Sequence, residues 1–514
     1  MSEPTRRRVL QVTAGGFAAL SMPGFLAACA KDGPISSANG PLPTDPFLAW
    51  FGIDADMIRR VLAELGSRGA DHGELFFQHS RSSSLSMEDG RIGRAFTSID
   101  QGVGLRVVVG DQVGYAYTED LTEGAMREAA RTAAAIAQGA ARSAPTDLTP
   151  HALGNRYQLD VPWSEVAIAD KLDLVRRTEA AARAKDPSIE KVSVYLSDGE
   201  ERVLVADMRG NLVIDERPSS RLGVRITARR GEDVQSNGST LAGRRGIQWF
   251  DDSRVDQVCQ EACDRTMVLF EAVRPKAGEW PVVLAAGASG ILLHEAIGHG
   301  MEADFNRKGI SIYADMIGKK VAPDFVTVVD EGTQPGERGA LNVDDEGTPA
   351  GRTLLVEDGV LRSFLHDRIS AKHYGVSPTG SGRRQSFRHV PMPRMRSTYM
   401  ENGPHTVDEM IATVEYGIVA ETFTNGQVNI GAGDFTFFIK NGWLIEGGKK
   451  TAPIKDVNII GNGPEALRNV SMVASDLKLD TGGWTCGKNG QGVPVSQGMP
   501  SVLVSKLNVG GSDA

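Results

Sequence analysis

The stretch "EYGIVAETFTNGQVNIGAGDFTFFIKNGWLIEGGK", residues 415–449, decides the fold of the C-terminal half. Runs of β-branched and aromatic residues are punctuated by glycine-bearing turn signals, the pattern of strands joined by hairpins. An antiparallel sheet is therefore expected. "FVTVVDEG" and "RTLLVEDGVLRSFLHD" upstream read the same way, and a short helix is expected at Pro464 to Asn469.

Before residue 275 the pattern changes. Helical periodicity at Asp54 to Arg68 leads into short alternating segments with turn signals at "EDG" before Arg91 and at Gly110–Asp111, and a second helix follows at Glu123 to Gln138. The order then recurs, with a helix at Lys171 to Lys185 and strands after it. Gly104-Leu105-Arg106-Val107 matches Gly223-Val224-Arg225-Ile226 at the same place in the order. Two copies of one unit are implied. A further amphipathic helix spans Asp252 to Phe270, and "EWPVVLAAG" supplies the strand before the next segment. The expected class is α+β, a duplicated N-terminal α/β unit followed by a β-rich C-terminal domain with a large, mainly antiparallel sheet. The boundaries expected are 47–275, with related units at about 50–145 and 160–240, and 276–514.

The first residues stand apart. "TRRRVLQ", Thr5 to Gln11, resembles a twin-arginine export signal, and "LAAC", Leu26 to Cys29, resembles a bacterial lipobox. Residues 1–29 are thus expected to be a signal whose cleavage leaves a lipidated Cys29, with 30–46 a flexible tether rich in Gly, Pro and Ser. A lipid-anchored protein of the bacterial cell envelope, on the periplasmic side, is the expectation. The weakly apolar run from Val9 to Ala28 is broken by glycines and polar groups, poor material for a bilayer span.

The formal charge of the 514-residue chain is −9, and losing residues 1–28 removes three arginines and one glutamate, leaving −11. Such a surface repels nucleic acid unless a basic patch dominates. The one candidate run, "GRRQSFRHVPMPRMR" at Gly382 to Arg396, lacks aromatic interleaving and reads better as a loop that is solvated or pairs with a substrate carboxylate. Four cysteines make no disulfide framework. Cys259 and Cys263 fall on one helical stripe and read as buried packing.

Chemistry concentrates in "LHEAIGHGMEAD", residues 293–304. Zinc proteases commonly carry two histidines four apart with a glutamate beside the first. Here His299 lies five after His294, about 140° around a regular helix, too far for both to reach one ion. A one-residue π-type widening restores the convergence, and Gly298 is the residue best able to allow it. Ser289 is expected to cap the helix, with Ile291, Leu292, Leu293 and Ile297 as its apolar body. Two imidazoles can then hold a zinc ion while Glu295 acts as general base toward a water at the metal. A third ligand is needed, and Glu302, Asp304, the acids at Asp344 to Glu346 and the lone Cys486 in its glycine-rich loop all remain open. Tyr313, His366, Arg383 and backbone amides are open as oxyanion donors.

"HEAIGHGMEADFNRKG", "DDEGT", "TGSGRRQS", "GQVNIGAGDF", "IIGNGPEAL" and "CGKNGQGVPV", in that order, make the chain resemble the metal-bearing TldD branch of the TldD/PmbA metalloprotease family over about residues 50 to 510. The resemblance implies one Zn²⁺ per chain held by His294, His299 and Cys486, with Glu295 as catalytic base and Glu302 behind the ligands. It implies hydrolysis of unfolded or extended peptides bound partly by strand addition. A PmbA-like companion subunit or a homo-oligomer is the implied assembly. A non-hydrolytic peptide-binding or assembly subunit with a structural metal is the alternative, disfavoured by the presence of Glu295. Export is a departure from the family, whose members are generally cytoplasmic.

Overall fold

A computed structural model describes residues 50–151, 153–429 and 432–511, all within a single compact unit. The proposed signal, the tether and Cys29 lie outside the described residues. Among the described residues no helix is long and apolar enough to cross a membrane.

The N-terminal half is built on one twisted sheet. Its strands are β1 (His72–Glu88), β2 (Arg91–Val109), β3 (Gln112–Thr118), β4 (Thr149–Pro150), β5 (Ile189–Asp207), β6 (Asn211–Arg230) and β7 (Asp233–Gly243). Their order is β3-β2-β1-β5-β6-β4, with β7 also on β6. The β1–β2 turn needs two consecutive positive φ angles, supplied by Asp89 (48°) and Gly90 (74°), and so matches the right-handed twist of its strands. Two pairs of helices cover the sheet, α1 (Ala55–Leu65) with α2 (Glu123–Ala134) and α3 (Ile168–Arg183) with α4 (Asp252–Met267). In α1 the sequence explains the geometry directly. Asp54 accepts a bond from Met57 N at 2.7 Å, and Ile58, Val61, Leu62 and Leu65 recur at helical spacing and are buried. The two matching tetrapeptides fall on β2 and β6. Leu105 and Val107 sit in the core under α1 and α2, and Val224 and Ile226 in the core under α3 and α4. Cys259 and Cys263 of α4 belong to that second core.

After residue 275 five strands pair into a closed ring: β8 (Gly278–Leu284), β9 (Tyr416–Asn429), β10 (Asp434–Glu446), β11 (Val457–Asn462) and β12 (Val502–Gly510). The ring runs β9-β8-β12-β11-β10 and returns to β9, antiparallel except for β8–β9. Closure removes exposed edges. The opening stretch of sequence supplies β9 and β10, which pair antiparallel from Tyr416–Glu446 to Asn429–Asp434. Its inward residues, Ile418, Ala420, Phe435, Phe437 and Ile439, share one core with the segment after β8. A second, six-stranded sheet contains residues 328–331, 352–357, 360–361, 397–400, 478–479 and 496–499. Residues 397–400 and 496–499 pair parallel, because the connection between them passes through the ring rather than a hairpin. The observed class is α+β with large, mainly antiparallel sheets.

Candidate metal centre

The motif helix begins at Gly290, runs as α-helix to Leu292, widens to a π-helix over Leu293–Gly298 and tightens to a 3₁₀ turn at His299–Met301. Ser289 stands at its N-cap position but does not cap it through its side chain. Its side chain makes no cap bond, and its hydroxyl is buried without a partner among the described residues. Packing fixes the helix start instead: a Cβ on Gly290 would lie 2.4 Å from Gly498 N, so the first turn rests directly on the strand of residues 496–499. Ile291, Leu292, Leu293 and Ile297 anchor the helix in the core that the β-ring also fills. The role expected of Gly298 also changes. Its backbone is ordinary right-handed helix (φ −60°, ψ −47°), but a Cβ there would sit 2.1 Å from Met395 Sδ. Gly298 is required for close approach, and the widening is held by the core around it.

Widening brings the two histidines face to edge, ring centroids 5.2 Å apart and planes at 85°. Cys486 reaches them from the far end of the chain. It lies in a hairpin of Thr485–Lys488 with Gln491–Pro494, whose next residues enter the six-stranded sheet beneath the motif helix. Ligand atoms of His294, His299 and Cys486 lie within 4.8 Å of one another, and all three residues are buried. Cys486 Sγ is 3.4 Å from His299 Nε2. Neither ring nitrogen of His294 has a hydrogen-bond partner among the described residues. Two imidazoles and a sulfur, buried together and with His294 unpartnered, are a donor set able to hold a metal ion. Burial pushes the Cys486 thiol up, but attraction to His294 and His299 reverses this and holds it well below its ordinary value of 9.0. Glu295 stands beside the triad with its side chain 22% exposed and Oε2 3.9 Å from His299 Nε2.

Glu302, fully buried, lies behind the donors. His299 Nδ1 donates to Glu302 Oε2 at 2.9 Å, which turns Nε2 toward Cys486. Burial opposes its charge, yet Lys488 and His299 outweigh that and hold the carboxyl at about 2. Asp304 is paired with Lys488 at 2.7 Å.

The acids at 344–346 and Arg383 are engaged elsewhere. Asp345 and Glu346 meet the N-terminal sheet. Arg217 NH1 of β6 donates to Asp345 at 2.5 Å, and Arg106 NH2 of β2 donates to Glu346 at 2.5 Å and to Glu74 at 2.9 Å. Arg384 NH2 also donates to Glu74, at 2.5 Å. Asp344 accepts from the backbone of Glu346, Thr348 and Gly382. The basic run is therefore no solvated loop: Arg383, Arg384, Arg394 and Arg396 are all buried, and each donates to a partner inside the fold. Arg383 donates to the carbonyls of Met395 and Pro494, both at 2.6 Å. His366 is packed between Phe364 and Tyr374, and burial lowers it to about 4. The ring of Tyr313 lies against Gly300. Lys488 is given no role by any motif in the sequence, although the two-residue spacing of Cys486 and Lys488 in a strand signals a shared face, and Arg394 stands in the basic run with nothing there to link it to this cluster.

Comparison with known proteins agrees with this architecture. Residues 73–137 match PmbA/TldA metallopeptidase domain 1, residues 161–270 the central domain and residues 277–511 the C-terminal domain. The chain is 38% identical over 484 residues to a metalloprotease TldD homolog of Buchnera aphidicola, covering 92% of this chain and 99% of the relative. It is 39% identical to a metalloprotease TldD homolog of Haemophilus influenzae over 90% of this chain and 97% of that one. A Saccharolobus solfataricus relative, 28% identical over 80% of this chain and 90% of its own length, is named a zinc metalloprotease TldD homolog. Among solved structures, TldE from Thermococcus kodakarensis shares the fold with a TM-score of 0.69 at 20% identity, covering 89% of this chain and 99% of that one. A Thermotoga maritima protein described as a candidate modulator of a DNA gyrase does so with a TM-score of 0.72 at 21% identity, over 88% and 99%. The chain belongs to the TldD/PmbA metallopeptidase family.

Proposed function

We propose that this chain is a zinc-dependent peptidase acting on unfolded or extended peptides, with His294, His299 and Cys486 as the metal ligands and Glu295 as the general base. The observation that carries the reading is the convergence of these three buried donors beside a carboxylate that reaches solvent. Zinc, when bound, polarises the scissile carbonyl and acidifies water at neutral pH. Glu295 takes the proton of the attacking water and returns it to the leaving nitrogen. Glu302 holds the His299 ring in register through Nδ1. Burial of the three donors keeps bulk water from their inner side, so substrate approaches across Glu295. A PmbA-like companion subunit or a homo-oligomer is the assembly that goes with this reading. Peptide binding in part by strand addition fits an extended substrate.

The twin-arginine and lipobox residues support a lipid-anchored protein on the periplasmic side of the envelope, attached through Cys29. Radiolabelled lipid precursor is expected to mark the wild type and not Cys29→Ser; equal labelling of both refutes this location. For the activity, the test is cleavage of a denatured protein by the zinc-loaded chain, alone and with any co-encoded relative. Glu295→Gln keeps the donors and removes the base, so hydrolysis is expected to disappear while zinc is retained. Equal cleavage by both proteins refutes the peptidase reading.

A further inference from the structure

Lys488 is a cation with a side chain only 1% exposed, and a cation that deep is costly unless fully paired. Its ammonium donates to Asp304 Oδ1 at 2.7 Å and to Pro393 O at 3.1 Å, and it pairs ionically with Glu302 Oε2 at 3.1 Å. It also lies 4.2 Å from the centre of the Phe305 ring. Lys488 and Cys486 are two residues apart on one strand and both buried, with Thr485 and Gly487 exposed between and before them, so their side chains share a face. The Glu302 oxygen that meets Lys488 is the one that accepts from His299 Nδ1. One carboxylate oxygen thus joins the cysteine-bearing hairpin to a histidine of the motif helix. On the other side of Cys486, Arg394 donates to its carbonyl at 2.5 Å and places Nε 3.9 Å from the second oxygen of Glu302.

An apolar side chain of the same length could pack in the place of Lys488. A cation there holds the Glu302 carboxylate in place for His299 by charge while its bonds to Asp304 and Pro393 fix the strand that carries Cys486. We propose that Lys488 is a positioning residue of the metal centre, an ionic latch that acts through Glu302 to set the sulfur of Cys486 against His299. The inference rests on the metal-centre reading above and adds to it the group that assembles the site from two distant parts of the chain. Asp304, the second acid on Lys488, is not part of the latch, because it makes no contact with either histidine among the described interactions.

The test is zinc affinity of the metal-stripped full chain, measured by competition with a chromogenic chelator, for the wild type, Lys488→Met, Glu302→Gln, both together, and Asp304→Asn. Lys488→Met and Glu302→Gln are each expected to weaken zinc binding by about 10–100-fold, the range for loss of a partner behind a ligand. Since they act in series, the double variant is expected to bind about as weakly as Glu302→Gln alone, far from the product of the two losses. Asp304→Asn is expected to stay within about threefold of the wild type, a margin typical of uncoupled sites. If Lys488→Met does not fold, the double variant, which removes both ends of the pair, carries the test. Wild-type affinity in Lys488→Met or in the double variant overturns the latch. So does a double variant that shows the product of the single losses, or an Asp304→Asn protein as impaired as Lys488→Met. A wild-type chain that binds no zinc overturns the metal-centre reading itself, and the latch with it.

Discussion

Cys486 Sγ lies 3.4 Å from His299 Nε2 across 187 residues of chain. Nothing local brings them together. The π-widened helix fixes one end, the six-stranded sheet under it fixes the other, and the glycines at 290 and 498 let the two backbones meet. The three-donor cluster is thus a property of the folded C-terminal half, and its disruption is predictable from contacts outside it.

Gly298→Ala tests why that glycine is present. With a Cβ 2.1 Å from the sulfur of the fully buried Met395, the variant is expected to lose about 1–3 kcal/mol through overpacking. Shortening Met395 to Ala in the same chain should then cost less than it does in the wild type, a favourable coupling in urea unfolding. Strictly additive losses would mean that Gly298 is needed for backbone freedom after all.

Arg106→Met tests the junction between the halves. Arg106 is fully buried and donates to Glu74 of the N-terminal sheet and Glu346 of the C-terminal half. Removing it leaves the buried Glu346 without its ion-pair partner and Glu74 with Arg384 alone among its arginines, at a cost of about 3–5 kcal/mol. Urea midpoints should fall accordingly, and limited proteolysis should cut first near residue 275. An unchanged midpoint would remove the junction from the account of stability.

The same junction sets an acid limb. Burial opposes the charge of Glu74, but Arg106, His72 and Arg384 more than offset it, leaving its carboxyl well below its ordinary value of 4.5. The sign follows from linkage. A carboxyl depressed in the folded state contributes stability above its unfolded value, and that contribution is lost as pH falls below about 4.5 toward the folded value. Glu74→Gln is expected to be less stable than the wild type at pH 7 and to lose less on acidification. Parallel stability-versus-pH curves for the two proteins would contradict this.

Some of this architecture is legible from residues alone. The five-residue histidine spacing demands a π-helix if both rings are to share an ion, and the helix is present at Leu293–Gly298. Alternation and glycine turns mark β9 and β10. Other features depend on what a segment packs against, which one-dimensional pattern does not carry. Ser289 looks like a side-chain cap because Ser is among the favoured cap residues, yet a backbone contact through Gly290 starts the helix. The arginines from 383 to 396 look like surface because their acceptors, such as Asp330, Asp345 and Glu74, are scattered through the sequence. The closed ring is likewise invisible, since closure depends on the β9–β10 hairpin reaching strands before and after it.

Cys486→Ala is expected to lose zinc more severely than the about 10–100-fold that follows loss of a partner behind a ligand. Dialysed protein should then contain little metal by elemental analysis, while its circular dichroism stays that of the wild type. Full zinc content in this variant would remove Cys486 from the donor set.

The most direct measurement is zinc-edge X-ray absorption on the zinc-loaded full chain. Two imidazole nitrogens at about 2.0–2.1 Å and one sulfur at about 2.3 Å are predicted, with the sulfur shell absent from Cys486→Ala. A wild-type spectrum fitted by nitrogen and oxygen alone would contradict the account at its centre.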